Sequence, residues 1–274
     1  MAKFRVACVQ NCAGEILQDN LNKISELVFA AAKAGSDLIC LPEFYSVLFR
    51  NDYEYVSDQF TWKDHYVLSH AKELAHKNKV WLLVGSIPVL DGHKTVRNRS
   101  VILSPAGEVV DYYDKIHLFD VNIKDGQTYR ESDYVQRGDR LVVSDLPWGK
   151  LGLTVCYDLR FSHLYRLLAQ AGAFFITIPS AFTYKTGEAH WEVLVRARAI
   201  ESGSFIFAPS QCGVRTWGRK TFGHSLIVSP WGEILADGGR NEGFIMAEID
   251  PLAVKKVRKM IPSLSNNDIF RASF

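Results

Sequence analysis

The chain has 274 residues, of which 47% are hydrophobic and 23% are charged, and its formal net charge at pH 7 is +2. This length allows one large α/β domain or two ordinary ones. Because the sequence contains no basic block, acidic tail or low-complexity tract, it lacks the usual signatures of proteins that bind nucleic acids or membrane surfaces. We expect neither as a partner.

The first residues, "MAKFRVACVQ", enter a strand-like run directly, without the apolar core of a signal peptide. No stretch approaches the ~18 uninterrupted apolar residues that a membrane helix requires. We therefore expect a cytoplasmic protein.

Five cysteines are an odd number for a disulfide framework, so we expect free thiols. The sequence has neither a Cys-x-x-Cys pair nor histidines at the spacing of zinc ligands. We accordingly expect no metal site.

The first third of the chain alternates strands and helices. Phe4 to Val9 is predicted as a strand, and "DNLNKISELVFAAAKAGSD" follows as an amphipathic helix, capped by Asp19 or Asn20 and ended by Gly35. "DLICLPE" is predicted as a short buried strand that ends at Pro42. A second helix is expected around residues 63–77.

The middle of the chain carries the longest irregular segment. "VWLLVGSIPVL" is predicted as a strand, and "RSVILSPAGEVVDYYDK" as a hairpin that ends at Lys115. Residues 116–150 are polar and rich in loop signals, and a long connection of this kind is more often functional than structural. A buried strand then leads to Cys156.

The last part predicts a helix from His163 to Ala171, the strand "AFFITIPS", the helix "HWEVLVRARAIESG" and the strand "SFIFAPS". A hairpin with a Pro-Trp-Gly turn, the strand "GFIMAEID" and a polar tail from about residue 251 follow. Because no Pro/Gly/Ser-rich linker interrupts these elements, we expect one domain over residues 1–274, with helices covering mixed sheets.

Three reactive side chains stand at the ends of apolar strands: Glu43, Lys115 and Cys156. A thiol that attacks an amide needs a base, a cation or N–H donors for the oxyanion, and an acid for the leaving amine. In a dehydrated pocket, Lys115 would lower the thiol pKa, and Glu43 would accept the proton and later activate water.

Each of these residues also has a structural interpretation when it is taken alone. Glu43 fits a surface or helix-capping carboxylate, Lys115 fits a solvated strand end, and Cys156 fits a thiol packed in the core. Their coincidence at strand ends, rather than any one of them, indicates a catalytic site.

The segments "LPEF", "DKIHLF" and "CYDLRF", in this order, resemble the three signature segments of the nitrilase superfamily, the Glu-Lys-Cys carbon–nitrogen hydrolases. The resemblance covers almost the whole chain, and "PSAFTYKTGEAHWEVLVRARAIE", "QCG" and "GHSLIVSPWGEIL" are similar to the Nit branch of amidases. It implies a single-domain four-layer α-β-β-α sandwich, a homodimer or higher homo-oligomer formed through helices beside the active site, and no cofactor.

The resemblance also implies roles for individual residues. Glu43 is the general base, Lys115 the cation that stabilises the tetrahedral intermediate, and Cys156 the nucleophile. Glu131, in "TYRES", matches a second active-site glutamate, for which an ordinary loop carboxylate is the alternative. Backbone N–H groups of Lys115 and Tyr157 would form the oxyanion hole.

Nitrile-hydrolysing relatives carry Trp-Glu after the cysteine, whereas this chain has Tyr157 and Asp158, which favours amides. Asp158 and Arg160 are interpreted as an ion pair or hydrogen-bonded brace behind the nucleophile. His190 is interpreted as a capping or supporting group, and Cys212 as a core thiol.

Residues adjacent to these motifs are expected to form the pocket rim. They are Tyr45, Phe119, Tyr129, Tyr157, Phe182 and Thr183. Aromatic rings would keep water from the thioester, and a substrate carboxylate would need an arginine or a hydroxyl. Arg130 is a candidate for that role, and a solvated loop arginine is the alternative.

Nit-branch amidases accept a five-carbon acyl unit with an amide at one end and a 2-oxo acid at the other. We expect deaminated glutathione as the substrate, with α-ketoglutaramate as the alternative. An isochorismatase-like hydrolase, which also uses a cysteine with an acid and a lysine, would leave the long loop between Lys115 and Cys156 unexplained. A non-catalytic binding protein of the same fold remains the third interpretation.

Overall fold

The computed structural model describes residues 1–48, 60–91, 95–123 and 127–266. In chain order the strands are β1 (Phe4–Gln10), β2 (Leu38–Cys40), β3 (Trp81–Asp91), β4 (Thr95–Leu103), β5 (Val109–Asp114), β6 (Asp120–Ile123), β7 (Gln127–Arg130), β8 (Val143–Leu146), β9 (Gly149–Leu153), β10 (Ala173–Thr177), β11 (Phe205–Ala208), β12 (Leu226–Val228), β13 (Ile234–Asp237) and β14 (Gly243–Ile249). The helices are α1 (Leu17–Lys33), α2 (Tyr66–Asn78), α3 (Ser162–Gln170), α4 (Tyr184–Ser202) and α5 (Leu252–Met260).

Two six-stranded mixed sheets form the centre of the molecule. The first has the order β14-β1-β2-β3-β4-β5 and the second β13-β12-β11-β10-β9-β8, while β6 and β7 pair as a separate hairpin. Strands β1, β2 and β3 are parallel neighbours, as are β9, β10 and β11, and the outer strands pair antiparallel. Each parallel trio directs its carboxyl ends to one edge, where α/β folds open a crevice.

Helices cover the outer face of each sheet. Leu21, Ile24 and Val28 of α1 share a core with Val67 and other apolar residues of α2 and with the outward-facing side chains of the first sheet. Helices α3 and α4 pack against the second sheet in a core that also contains the side chains between the sheets. This arrangement confirms the expected α-β-β-α sandwich.

Aromatic rings fill the space between the two sheets. Phe4 of β1 is 3% exposed and stacks on Trp148 with ring centroids 4.2 Å apart. The rings of Phe175 in β10 and Phe207 in β11 meet the Phe4 ring edge to face, with ring centroids 5.2 and 6.4 Å from that of Phe4. Such aromatic contacts join the sheets face to face by the apolar area they bury.

The start of α1 differs from the sequence prediction. The helix begins at Leu17 after Ile16, so neither Asp19 nor Asn20 is its cap. Asn20 is buried, and its amide group donates to the carbonyls of Gly14 and Ser46 at 2.9 and 2.8 Å. The Asn20 side chain therefore connects two loops. An asparagine near the start of a helix has the same sequence pattern as a helix cap, which is why the sequence suggested that role.

The segment 116–150 contains more regular structure than expected. It includes the β6–β7 hairpin, strand β8 and the start of β9. Strands of four residues that carry polar side chains bury too little apolar surface to show an alternating hydrophobic pattern, so the sequence suggested a loop there.

Helix α4 begins at Tyr184, so His190 lies within it and is exposed rather than opening it, and the predicted capping role is wrong. The segment from residue 251, expected as a polar tail, includes α5, and residues 267–274 lie outside the described part. Among the described residues, none of the helices combines the length and the apolar run that a membrane span requires.

Candidate active site

Glu43, Lys115 and Cys156 meet at the ends of strands from both sheets. Glu43 follows β2, Lys115 comes directly after β5, and Cys156 follows the end of β9. Their exposed fractions are 3%, 2% and 8%, so all three are buried. A buried side chain can stay charged only when an opposite charge or hydrogen bonds compensate it, so the contacts among these residues define the site.

The ammonium of Lys115 lies between two carboxylates. Its Nζ donates to Oε1 of Glu43 at 3.0 Å and to Oε1 and Oε2 of Glu131 at 3.1 and 2.8 Å. The Asn98 amide also bridges the carboxylates, donating to Glu43 at 3.0 Å and to Glu131 at 3.1 Å. The structure thus brings Glu131 to the other two charged residues.

Backbone donors fix both carboxylates from the opposite side. The N–H of Ala181 donates to Oε2 of Glu43 at 2.9 Å, and that of Phe119 donates to Oε2 of Glu131 at 2.6 Å. Gln211 donates both amide hydrogens to the carbonyls of Glu43 and Phe44, at 2.9 and 2.8 Å. Glu43 is therefore held by its side chain and by its backbone.

A glycine in β3 lets the Glu43 segment approach the sheet. A Cβ added to Gly85 would lie 2.0 Å from the carbonyl oxygens of Leu41 and Pro42. The pairing of β3 with β4 shifts register here, and the carbonyl and hydroxyl of Ser86 both accept from the Phe44 N–H. Only glycine allows this close approach of one backbone to another.

The nucleophile candidate occupies a strained turn. Cys156 has a φ of 46°, in the left-handed region, and opens the short helical turn Cys156–Arg160. Its N–H donates to the carbonyl of Pro179 at 2.9 Å. A non-glycine residue in this region costs of order 1–3 kcal/mol, and such strain clusters at functional sites.

Asp158 is a buried brace between the cysteine turn and the lysine segment. Its Oδ2 accepts from the Tyr113 hydroxyl and from the Val155 N–H, at 2.7 and 2.9 Å. Its Oδ1 accepts from the His117 N–H at 3.0 Å and lies 2.7 Å from His117 Nδ1. The carboxylate therefore fixes the position of Cys156 relative to Lys115.

The predicted pairing of Asp158 with Arg160 is not seen among the described residues. The Arg160 guanidinium lies 5.8 Å from the centre of the Tyr157 ring and 5.5 Å from that of Phe182. It also contacts Nδ1 of His190 at 3.3 Å, which gives that histidine a supporting position outside the site. The Asp158 carboxylate already accepts hydrogen bonds from the Tyr113 hydroxyl and from the N–H groups of Val155 and His117, so its oxygens are satisfied without the arginine.

The charges of the site place the proton on the thiol. Burial and the Glu43 charge raise the pKa of Cys156 well above 9.0, and the opposing effect of Lys115 is smaller. Burial alone would raise the pKa of Glu43, but Lys115, Cys156 and Asn98 together hold it below its usual value. The resting pair is therefore a neutral thiol beside a carboxylate.

Lys115 lowers the pKa of Cys156, as the sequence analysis expected, but burial and the Glu43 charge outweigh its effect. Burial opposes the charge of the ammonium, yet Glu131 and Glu43 raise the pKa of Lys115 well above 10.5. The ammonium therefore stays charged between its two carboxylates.

A cavity opens above these residues, with an empty volume of about 790 Å³ that includes the space at its mouth. Of the expected rim, it is lined by Phe119, Tyr129, Arg130, Tyr157, Phe182 and Thr183. Phe44, Val47, Leu48, Thr186 and Arg219 also line it, and the sequence analysis missed them.

Tyr45 does not belong to the rim. Its side chain is fully buried in the core beneath α1 and α2, and burial raises its pKa. Phe44 takes the pocket position because its left-handed φ of 49° turns the chain there. Adjacency to a catalytic motif could not distinguish these two neighbours, because the turn that decides which side chain faces the pocket is a property of the folded backbone.

Arg219 was missed because it lies far from the three motifs along the chain. It belongs to the segment "GVRTWGRKT", residues 213–221, between β11 and β12. A basic residue next to the glycine turn of this segment is the signal that could have singled it out.

Cys212 lies in the core, 1% exposed, and burial raises the pKa of its thiol to about 12. All five cysteines are free. In the described residues, histidine, cysteine and acidic side chains form no group of three that could hold a metal ion.

A thiol beside a carboxylate, with a buried ammonium near the space where substrate enters, suits attack on a carbonyl carbon whose oxygen gains negative charge. Fold and site together define a thiol hydrolase that cleaves carbon–nitrogen bonds of small amides. The chain belongs to the carbon-nitrogen hydrolase family, whose model matches residues 5–259.

Two relatives match the chain over nearly its whole length. It is 39% identical to a deaminated glutathione amidase of Yersinia enterocolitica, over 97% of this chain and 94% of the relative. It is 35% identical to omega-amidase NIT2-B of Xenopus laevis, over 96% of this chain and 94% of the relative.

Two solved structures share the fold. The NitFhit protein of C. elegans superposes with a TM-score of 0.91 at 32% identity, over 97% of this chain and 65% of that chain, so this chain spans less than two thirds of it. Saccharomyces cerevisiae Nit3, a member of branch 10 of the nitrilase superfamily, superposes with a TM-score of 0.84 at 31% identity, over 97% and 96% of the chains. The resemblance to this superfamily is confirmed.

The raised thiol pKa leads to a test of how Cys156 is activated. The wild type is expected to show no thiolate absorbance from Cys156 near neutral pH, because a raised pKa keeps the sulfur protonated there. Glu43→Gln removes a charge that raises this pKa, so the Cys156 titration should move to lower pH. Amide turnover should nevertheless fall by ~10² or more, because the base is lost.

An ultraviolet pH titration, with Cys156→Ala as the blank, measures the thiolate, and steady-state kinetics measure turnover. A Cys156-dependent thiolate signal at neutral pH in the wild type would contradict the assignment. So would a Glu43→Gln variant that keeps wild-type turnover.

Proposed function

We propose that Cys156 forms a thioester with the acyl group of a small carboxamide. Glu43 takes the thiol proton as the sulfur bonds to the carbonyl carbon, and then gives that proton to the nitrogen as the carbon–nitrogen bond breaks. In the second half-reaction Glu43 takes a proton from water, the oxygen bonds to the acyl carbon, and the sulfur leaves and regains the proton.

The observation that carries this proposal is the contact of a buried Lys115 ammonium with the Glu43 carboxylate beside the Cys156 thiol. A neutral thiol next to an ionised carboxylate suits proton transfer that is concerted with attack. The ammonium is the group positioned to stabilise the oxyanion that results.

The oxyanion hole that we propose differs in one donor from the sequence expectation. The backbone N–H of Lys115 donates to the Asn98 carbonyl at 2.9 Å, so it is engaged elsewhere. Lys115 Nζ and the N–H of Tyr157, which follows the nucleophile in its turn, are the donors that we assign. Glu131 orients the ammonium through its two contacts and carries the second carboxylate toward the substrate nitrogen.

Deaminated glutathione is the substrate that we propose, and α-ketoglutaramate is the alternative. Relatives named for deaminated glutathione amidase and for omega-amidase match the chain at 39% and 35% identity, which supports the first substrate by a small margin. Both compounds would leave the same acyl group on Cys156. They differ in the leaving group, a dipeptide in one and ammonia in the other.

Trapping the intermediate tests the nucleophile. Enzyme quenched during turnover of either amide should gain the acyl mass on the peptide that contains Cys156, as measured by mass spectrometry. Cys156→Ala should lose the adduct and turnover yet keep its thermal unfolding midpoint, since a small truncation at a turn removes little packing.

Cys212→Ala is the matched control, because it removes another buried thiol. That variant should keep both the adduct and turnover. An adduct on Cys212, or comparable turnover by Cys156→Ala, would show that the nucleophile is another residue.

Kinetics with both amides test the substrate. We expect kcat/KM for deaminated glutathione to exceed that for α-ketoglutaramate at least ~10-fold, a gap of about 1.4 kcal/mol that a few leaving-group contacts can supply. Equal or reversed values under one condition would make the protein an omega-amidase. Turnover of neither would point to another carboxamide.

We further propose a homodimer formed through α3 and α4. Leu167, Val193, Ile200 and Trp231 on this side of the molecule are each at least 51% exposed. Ile200 of α4 lies against the turn at Gly232, so exposed apolar side chains of the helix and of this turn lie beside one another. Sedimentation should show a dimer for the wild type and a monomer for Val193→Lys, and a monomeric wild type would refute the interface.

A further inference from the structure

The segment 213–221 contributes Arg219 to the cavity lining and is fixed by Arg215. The Arg215 guanidinium is 4% exposed and donates to the carbonyls of Ala13 and Cys212, at 3.1 and 2.8 Å, and to the side chain of Gln211. An antiparallel bridge between Val214 and Lys220 closes the segment into a hairpin, and a bridge between Thr183 and Thr221 joins it to the residue before α4. The segment is therefore a rigid part of the pocket wall.

Arg219 projects from this hairpin into the cavity. Its guanidinium carbon lies 5.7 Å from the centre of the Tyr129 ring, and the side chain lines the pocket together with Thr186. Within the described residues, the Nε of Arg219 is buried and has no hydrogen-bond partner. A guanidinium donor that is buried without an acceptor is costly unless a ligand supplies one.

Arg130, the arginine singled out by the sequence, is placed differently. It is exposed, and its guanidinium donates to the Tyr129 carbonyl and to Oδ1 of Asn122, both at 3.2 Å. Two of its donors thus serve the β6–β7 hairpin. Of the two arginines that line the cavity, Arg219 is the one whose buried donor lacks an acceptor in the described chain.

Electrostatics separate the two ends of the cavity. Two carboxylates and one ammonium lie at its base, so a second anion on the substrate is repelled there. Arg219 lines the wall beside Tyr129, and burial and the Arg219 charge both lower the pKa of the neighbouring Arg215, to about 10. A substrate carboxylate is therefore favoured at this wall and the amide at the base.

We propose that Arg219 binds the substrate carboxylate distal to the scissile amide and so sets the enzyme's preference for anionic amides. This inference rests on the proposed function and names the residue that binds the carboxylate end of the substrate. The planar guanidinium can offer Nε–H and a terminal N–H to the two carboxylate oxygens, and the Tyr129 ring supports its face.

The test compares two amides of equal chain length, glutaramate with its carboxylate and pentanamide without it. For Arg219→Gln, kcat/KM for glutaramate should fall roughly 10- to 100-fold, mainly through KM, as expected for the loss of a charge-assisted hydrogen bond. The value for pentanamide should stay within about 3-fold, so the ratio of the two substrates isolates the carboxylate contact.

Lys220→Gln is the matched control, because it removes one positive charge from an exposed neighbour on the same hairpin. It should leave the ratio of the two substrates unchanged. Arg219→Lys should restore part of the preference through its charge. An unchanged ratio in Arg219→Gln, or an equal loss in Lys220→Gln, would overturn the assignment, and a loss in Arg130→Gln alone would transfer the role to Arg130.

Calorimetry with the five-carbon dicarboxylate glutarate separates this inference from the proposed function. If the wild type binds glutarate and Arg219→Gln binds it at least 10-fold more weakly, the site stands even where neither amide is hydrolysed, and then only the proposed substrate class fails. If glutarate binds both proteins equally or binds neither, the inference fails, whatever amides the enzyme cleaves.

Discussion

A buried ammonium held between two carboxylates is the interaction on which the site depends. Lys115, Glu43 and Glu131 come from three different segments, and each is charged in a place where an unpaired charge would cost several kcal/mol. Removing Lys115 leaves two carboxylates close together without their counter-charge, whereas removing either glutamate leaves the ammonium one carboxylate. The same contacts that prepare the chemistry therefore also hold three separate segments of the chain together.

Other parts of the fold hold Glu43, Lys115 and Cys156 at fixed positions relative to one another. Asp158 joins the cysteine turn to the lysine segment, Gln211 holds the backbone at Glu43, and Gly85 leaves room for that backbone to reach its place. These supports come from both sheets. A site assembled in this way is preorganised, since few of its groups must move when charge develops on a bound carbonyl.

The sequence predicted the elements that bury a face, because apolar period and turn residues record that burial. It also placed Glu43, Lys115 and Cys156 at strand ends, where the structure has them. It could not separate Tyr45 from Phe44, or find Arg219, because side-chain direction and contacts between distant segments are properties of the folded chain. It predicted that Lys115 lowers the pKa of Cys156, but not that burial and the Glu43 charge outweigh this effect, because that balance depends on depth and distances in the folded chain.

The neutral resting state of Cys156 also affects how readily its sulfur reacts with oxidants. Peroxides and electrophilic metabolites react with thiolates far faster than with thiols, and damage follows thiolate character and exposure. Burial and a raised pKa both lower the exposure and the thiolate character of Cys156 that such reactions require. The carboxylate proposed as the base thereby also limits the thiolate fraction on which oxidation depends.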